Sequence, residues 1–141
     1  LGSGAGFPGL VLKLARPDMA VTLVEARQKK AAFLEYLVLA LKLPGVEVRV
    51  AHLTPSLARR WGPSFGAVIT RAAFSLSRFL ELASPVLLPG GQLLALKGPQ
   101  LPPEELEAAR GLCETRGWCS LEWHSYHLPV TGEPRLLVSG R

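Results

Sequence analysis

The sequence is poor in the features that mark metalloproteins, disulfide-linked secreted domains and membrane proteins. Only two cysteines occur among the 141 residues, Cys113 and Cys119, and they lack the spacing of metal ligands. Such a pair is typical of reduced thiols in a cytoplasmic protein. His124 and His127 lie three apart in a predicted strand, so they point to opposite faces and do not predict a metal site. No apolar run reaches membrane-spanning length. We therefore expect neither a metal nor a membrane partner.

Charged residues are also scarce, and this absence excludes a disordered chain. They make up 19% of the sequence, against 48% hydrophobic residues, and there are no repeats or low-complexity segments. The length suits one domain over residues 1–141. The net charge of +5 favours a polyanionic partner, although only weakly.

Short apolar runs alternate with helical patterns along the chain. A helix is predicted to begin near Pro8. The pattern then predicts strands over residues 20–25, 46–51, 65–70 and 92–96, and two closing strands near 120–127 and 135–139. Helices are predicted over residues 27–43, 55–60, 76–87 and 102–116, the first of them burying Phe33, Leu34, Leu37, Val38 and Leu41. This order predicts an α/β fold with a doubly wound, mostly parallel, Rossmann-like sheet. The last two strands have no helix between them and should form an antiparallel hairpin at one edge.

A glycine-rich loop opens the sequence, and an acidic residue ends the strand that follows. The glycines can be counted as GxGxxG from Gly4, or as GxGxG from Gly2. We favour the second register, because it suits a nucleoside derivative such as S-adenosylmethionine (AdoMet), which has no pyrophosphate. Glu25 stands 19 residues after Gly6, and an acidic residue at about that spacing accepts hydrogen bonds from ribose hydroxyls. Both AdoMet and NAD carry a ribose diol, so Glu25 supports either ligand.

Five segments carry a family resemblance over nearly all of the chain. They read LGSGAGFPG, VEARQKKAAFLE, ITRAAFSLSRFLELASPVLLPGG, LALKGP and LPVTGEPRLLV. In this order they resemble the RsmG/GidB methyltransferases. The resemblance implies a class I AdoMet methyltransferase fold. It also implies methyl transfer from AdoMet to N7 of a guanine in 16S ribosomal RNA.

The resemblance also implies which residues act. The cofactor-binding set is Gly2, Ser3, Gly4, Gly6, Phe7, Glu25, Ala26, Leu53, Thr54 and Arg71. Arg71 and Lys97 are the implied catalytic residues, and with Arg135 they would contact the RNA. We expect a cytoplasmic monomer whose partner is ribosomal RNA or the small ribosomal subunit.

The chemistry expected of such an enzyme needs few special residues. Guanine N7 already carries a lone pair, so no general base is required, and the protein has only to hold donor and acceptor in line. Arg or Lys can read the N7 and O6 edge of guanine. The carboxyl ends of parallel strands share one sheet edge, so Arg71 is expected on the side of the glycine loop and Glu25. We expect Arg71 to position the guanine through O6.

Two departures from the family pattern leave alternatives open. The sequence begins inside the glycine motif, where family members carry a helical segment and a first strand, so we expect residues to be missing there. The stretch 51–56 lacks the family's acidic residues, so a contact to adenine would come from backbone N–H groups or Thr54. One alternative is therefore a catalytically weak AdoMet- or RNA-binding module. Another is an NAD-binding oxidoreductase domain, against which the closing hairpin and the glycine register argue.

Overall fold

The computed structural model describes residues 1–115 and 121–141, which form two compact units, Leu1–Leu53 and Thr54–Arg141. The helices are α1 (Gly9–Ala15), α2 (Gln28–Ala40), α3 (Pro55–Trp61), α4 (Leu76–Ala83) and α5 (Pro103–Thr115). The strands are β1 (Val21–Glu25), β2 (Val46–Val50), β3 (Phe65–Arg71), β4 (Leu87–Lys97), β5 (Leu121–His127) and β6 (Pro134–Gly140). Every predicted strand and helix has a counterpart. Residues 116 and 120, at two predicted element ends, and Cys119 lie outside the described residues.

The first unit is a parallel strand pair covered by two helices. Strand β1 pairs with β2 from Val21 opposite Val46 to Glu25 opposite Val50. Leu10 of α1, Leu23 of β1 and Leu34 of α2 form its buried core. The β-branched strands thus bury their apolar side chains beneath the helices, as expected for a parallel pair.

Helix α2 buries a narrower face than the sequence pattern predicts. Ala31 and Leu34 are fully buried, and Leu37 and Val38 pack against the core. Phe33 and Leu41, however, are 47% and 48% exposed, so their assignment to the buried face was wrong. Leu41 lies past the last residue of the helix, which leaves it outside the packed stripe.

A buried lysine fastens the end of α1. The Lys13 Nζ donates hydrogen bonds to the carbonyl oxygens of Pro17 and Met19, each at 2.7 Å. The residue is only 3% exposed, and its ammonium group satisfies two backbone carbonyl oxygens of the turn that follows the helix. Lys13 therefore fixes the connection from α1 to β1.

The second unit contains a four-stranded sheet in the order β3-β4-β6-β5. Strands β3 and β4 are parallel, whereas β6 runs antiparallel to both β4 and β5. The antiparallel hairpin predicted at the sheet edge is thereby confirmed. Helices α4 and α5 pack together, and the largest buried side chains of this unit include Phe79, Leu76, Leu82, Leu93 and Val138.

Strand β4 begins earlier than expected. The helix predicted over residues 76–87 ends at Ala83, and a 3-10 turn, Ser84–Val86, leads directly into the strand at Leu87. Pro85 lacks the N–H that would continue the helix. Phe65 pairs with Leu87 and Ala67 with Gln92, so residues 88–91 form an irregularity inside the strand rather than a turn before it.

Among the described residues no helix is long and apolar enough to cross a membrane.

Candidate cofactor and substrate site

The glycine loop lies beside the carboxyl end of β1. The backbone N–H groups of Gly2 and Ser3 both donate to the Val24 carbonyl oxygen, at 3.0 and 3.1 Å. The Ser3 hydroxyl donates to the same oxygen at 3.3 Å. These bonds place the start of the loop next to the last residues of the strand, where open α/β sheets bind ligands.

Glu25 joins the end of β1 to the loop. Its Oε2 accepts a hydrogen bond from the Gly4 N–H at 2.8 Å, and its Oε1 accepts one from the Arg27 N–H at 2.9 Å. Burial raises the pKa of this carboxyl group, but the bonds from Arg27 and Gly4 together lower it more, so the pKa lies below its ordinary value of 4.5. The structure thus brings together the glycine loop and the acid that the sequence spacing paired.

Two glycines of the loop, Gly4 and Gly6, differ in what a side chain at their position would contact. Gly6 has φ +97°, and a Cβ built there would lie 2.4 Å from Cδ1 of Leu10 in the core. Gly4 has φ +53°, but a Cβ there would meet only the Gly2 carbonyl oxygen, at 3.9 Å. Gly6 is therefore required for packing, whereas Gly4 leaves the outer side of the loop open to a ligand.

The other residues predicted to bind cofactor in the first unit differ in exposure. Phe7 and Ala26 are exposed, while Ser3 and Leu53 are buried. The Ala51 N–H donates to the Glu25 carbonyl oxygen at 3.0 Å, which brings the chain after β2 alongside the end of β1. Leu53 follows two residues later. The cofactor role of these four residues stays a prediction.

Thr54 caps a helix. It is the N-cap residue of α3, and its Oγ1 accepts a hydrogen bond from the Leu57 N–H at 3.2 Å. The same hydroxyl shares a 2.9 Å hydrogen bond with Ser56. A side-chain oxygen at this position satisfies a backbone N–H that the helix itself leaves open. The hydroxyl proposed for an adenine contact is therefore already engaged in the local structure.

Arg71 and Lys97 end adjacent parallel strands of the second unit. Arg71 is the last residue of β3 and lies opposite Leu96, and Lys97 is the last residue of β4. Arg71 is exposed, and the residue after it, Ala72, has φ +50°. Both basic residues thus stand at the carboxyl edge of their sheet, as expected. Whether that edge meets the Glu25 site stays a prediction.

The Lys97 ammonium group is engaged within the protein. Its Nζ donates to the Phe74 carbonyl oxygen at 2.6 Å and to Oε1 of Glu105 at 2.7 Å. The same Glu105 oxygen also accepts from the Leu76 N–H. Burial raises the pKa of Glu105, but the bonds from Lys97 and Leu76 lower it further, to below its ordinary value. A catalytic or RNA-binding role for Lys97 stays a prediction.

Arg135, the third residue predicted to contact RNA, lies in the hairpin. It is the second residue of β6 and stands opposite Tyr126 of β5. Its guanidinium group pairs with the Glu133 carboxylate and donates to the Pro134 carbonyl oxygen at 2.8 Å.

Among residues 1–115 and 121–141, no cluster of three or more His, Cys, Asp or Glu side chains could hold a metal ion.

Sequence reasoning missed two residues of these arrangements. A Cβ at Gly9 would lie 2.4 Å from Cδ2 of Leu23, so Gly9 lets α1 pack closely on β1. The third glycine of a GxGxxG motif has this role, so the motif itself carried the signal. The second residue is Glu105. It lies in the first turn of α5, and nothing in the sequence pattern links it to Lys97.

Most of the chain matches one known protein family. The family model described as GidB, rRNA small subunit methyltransferase G, matches residues 1–133. The chain belongs to the GidB family. A ribosomal RNA small subunit methyltransferase G from Chloroflexus aggregans is 41% identical over 141 residues, covering 98% of this chain and 58% of that protein. One from Frankia alni is 38% identical over 140 residues, covering 96% of this chain and 50% of that protein. The chain therefore spans about half or somewhat more of the length of these relatives.

Solved structures show the same fold. A SAM-dependent O-methyltransferase from Thermotoga maritima superposes with a TM-score of 0.69 at 13% sequence identity, covering 99% of this chain and 57% of that one. This likeness confirms the α/β fold of class I AdoMet methyltransferases predicted from the sequence. Together with the family match, it argues against the NAD-binding oxidoreductase alternative.

Proposed function

We propose that the chain carries the catalytic domain of a methyltransferase that uses AdoMet to methylate N7 of a guanine in 16S ribosomal RNA. The observation that carries the proposal is the Glu25 carboxylate, which holds the glycine loop at the end of β1 in a member of the GidB family. The family match supports ribosomal RNA or the small ribosomal subunit as the partner, and we propose that the protein is a cytoplasmic monomer.

The residues present fit AdoMet. Each Glu25 oxygen accepts one backbone hydrogen bond, and a carboxylate oxygen can accept two. The Ala26 N–H also acts on this carboxylate, and the acceptor capacity that remains is available to a ribose hydroxyl group. The open outer side of Gly4 gives a nucleoside access to the loop backbone. Gly2, Gly4 and Glu25 would hold AdoMet, which supplies an activated methyl group on its sulfonium when bound.

The substrate side requires positioning rather than acid–base chemistry. The N7 atom of guanine has a free lone pair, so no residue has to remove a proton. Arg71 is exposed at the end of β3 and can donate to guanine O6. A guanidinium group would repel the positive charge that develops on N7, so Arg71 orients the base rather than stabilising charge.

AdoMet affinity tests the cofactor half of the proposal. Glu25→Ala should weaken AdoMet binding by about 1–3 kcal/mol, since a charged acceptor is lost. Isothermal titration calorimetry would measure it, with Glu47→Ala as control, because Glu47 is an exposed glutamate on β2. Unchanged affinity in Glu25→Ala would refute the assignment.

Methyl transfer to undermodified small-subunit RNA tests the substrate half. Arg71→Ala should reduce transfer by about 100-fold, because one positioning contact is lost, while the fold and most of the AdoMet affinity persist. Arg59→Ala, at an exposed position on α3, is the matched control. Near-normal transfer by Arg71→Ala would make this arginine structural. AdoMet binding by the unaltered protein without any transfer would favour the weak binding module instead.

Salt dependence tests the RNA partner separately. Phosphate contacts release counterions, so the logarithm of RNA affinity should fall linearly with the logarithm of salt concentration. A fluorescence anisotropy titration with small-subunit RNA between about 50 and 200 mM salt would measure the slope. A flat dependence would count against a nucleic-acid partner.

A further inference from the structure

The segment that follows Arg71 is held at three points over residues 72–76. The Ala72 N–H donates to the Leu96 carbonyl oxygen at 3.1 Å. The Phe74 carbonyl oxygen accepts from Lys97 at 2.6 Å, and the Leu76 N–H donates to Glu105. Two of the three attachments are made by one ion pair.

The backbone of this segment needs to be held. Ala72 has φ +50°, in the left-handed region, where a Cβ comes too close to the following carbonyl oxygen. Such a conformation persists where the surroundings fix it, and it often lies beside a functional residue. Here that neighbour is Arg71, the residue proposed to position the guanine.

The Lys97–Glu105 pair is well placed to fix the segment. The two side chains are only 10% and 18% exposed, and their N···O distance is 2.7 Å. One Glu105 oxygen accepts from both Lys97 and the Leu76 N–H. The pair therefore ties the end of β4 and the first turn of α5 to the start of α4.

We propose that Lys97 and Glu105 are positioning residues, whose ion pair holds residues 72–76 so that Arg71 is presented to the base. This inference rests on the proposed function. Lys97 donates to the Phe74 carbonyl rather than contacting RNA. Glu105 affects methyl transfer indirectly, through its hydrogen bonds with Lys97 and with the Leu76 N–H.

Glu105→Gln and Lys97→Met separate this role from direct RNA contact. Each should lower kcat by roughly 10- to 100-fold through misplacement of Arg71, with AdoMet affinity and RNA KM little changed. Lys97→Arg, which keeps the charge, should recover part of the rate. If Lys97 instead contacts RNA, Lys97→Met would raise KM and reduce the salt slope, and Glu105→Gln would leave kcat intact. That result would overturn the proposal.

Combined variants sharpen the test. Residues that act as one unit give non-additive losses, so Lys97→Met/Glu105→Gln should be no slower than the slower single variant. Glu105→Gln should cost nothing more in an Arg71→Ala background, because it acts through Arg71. Glu104→Gln, at the exposed neighbouring position on α5, is the control and should behave like the unaltered protein. Additive losses in both combinations would overturn the proposal.

Amide hydrogen exchange provides a readout that does not depend on activity. Exchange at residues 72–76 should speed up in Glu105→Gln and Lys97→Met but not in Glu104→Gln. Exchange at normal rates in the first two variants would overturn the proposal, even if the unaltered protein methylated no RNA. Absence of methyl transfer by the unaltered protein, with accelerated exchange in the variants, would count against the proposed function alone.

Discussion

Two glutamates, Glu25 at the end of β1 in the first unit and Glu105 in the first turn of α5 in the second, accept hydrogen bonds from different kinds of donor. The pKa of each carboxyl group lies below its ordinary value although burial opposes this. Glu25 accepts from two backbone N–H groups, one on each oxygen. Glu105 accepts from an ammonium group and a backbone N–H on a single oxygen.

The difference separates a carboxylate that is held by backbone donors alone from one that is engaged in an ion pair. Backbone donors keep Glu25 ionised and oriented without a cation in its hydrogen bonds, so its remaining lone pairs can receive a ligand. Glu105 neutralises the nearly buried ammonium group of Lys97. Its hydrogen-bonding oxygen is therefore engaged within the protein. The role of each carboxylate is therefore better inferred from the groups that donate hydrogen bonds to it than from its position in the fold.

Of the two glutamates, Glu105 is expected to have the larger effect on stability. Glu105→Ala leaves the Lys97 ammonium buried without its partner and should lower the free energy of unfolding by about 3 kcal/mol. Glu25→Ala leaves backbone donors unsatisfied and should cost about 1–3 kcal/mol. Urea unfolding would compare them, with Glu47→Ala as an exposed control expected to cost less than about 1 kcal/mol. A larger loss for Glu25→Ala would reverse the comparison.

The two loop glycines should differ in a related way. Gly6→Ala combines a left-handed backbone with overpacking against Leu10, and should cost about 2–4 kcal/mol of stability. Gly4→Ala meets open space and should cost about 1 kcal/mol, but it should weaken AdoMet binding more clearly. Thermal unfolding and calorimetry would measure both. Equal losses of stability would contradict the division between packing and ligand access.

The cap at Thr54 should have a smaller effect. Thr54→Ala removes the acceptor for the Leu57 N–H and should cost about 1 kcal/mol of stability, while Thr54→Ser should keep most of it. Urea unfolding would measure the two variants side by side. If Thr54→Ala lowered AdoMet affinity without lowering stability, the hydroxyl would serve the ligand rather than the helix.

The mildest perturbation is acidification. Both carboxyl pKa values are lower in the folded protein, so their stabilisation is present above the ordinary pKa of 4.5 and is lost as the pH falls below it. Urea midpoints measured at neutral pH and below 4.5 should therefore converge for Glu105→Gln and the unaltered protein. Glu25→Gln should converge in the same way. If either difference grew on acidification, the assigned direction would be wrong.

The sequence predicted the elements better than their contacts. Strands such as β1 were recognisable because β-branched apolar runs of five or six residues suit buried strands. The early start of β4 was missed, because Pro89, Gly90 and Gly91 are typical of a turn, and only the pairing with β3 shows an irregularity within a strand. Phe33 was placed wrongly because helical spacing fixes a face only approximately where few residues are buried.

The candidate site was predictable where it depends on local spacing. The glycine loop and Glu25 are linked across one strand and one helix, and that spacing is a known signature. The partner of Lys97 could not be predicted, because Glu105 reaches it from the first turn of the next helix. In the sequence, that glutamate is indistinguishable from its neighbour Glu104.

The burial of Lys13 and Lys97 has a consequence for chemical labelling. An ammonium group must lose a proton, and its nitrogen must be accessible to the reagent, before it can attack an acylating reagent. Lys13 and Lys97 are held by carbonyl or carboxylate oxygens, whereas Lys29, Lys30 and Lys42 are exposed. Brief treatment with an amine-reactive ester should therefore mark the last three lysines first. Late modification of the other two would report the opening of each unit separately.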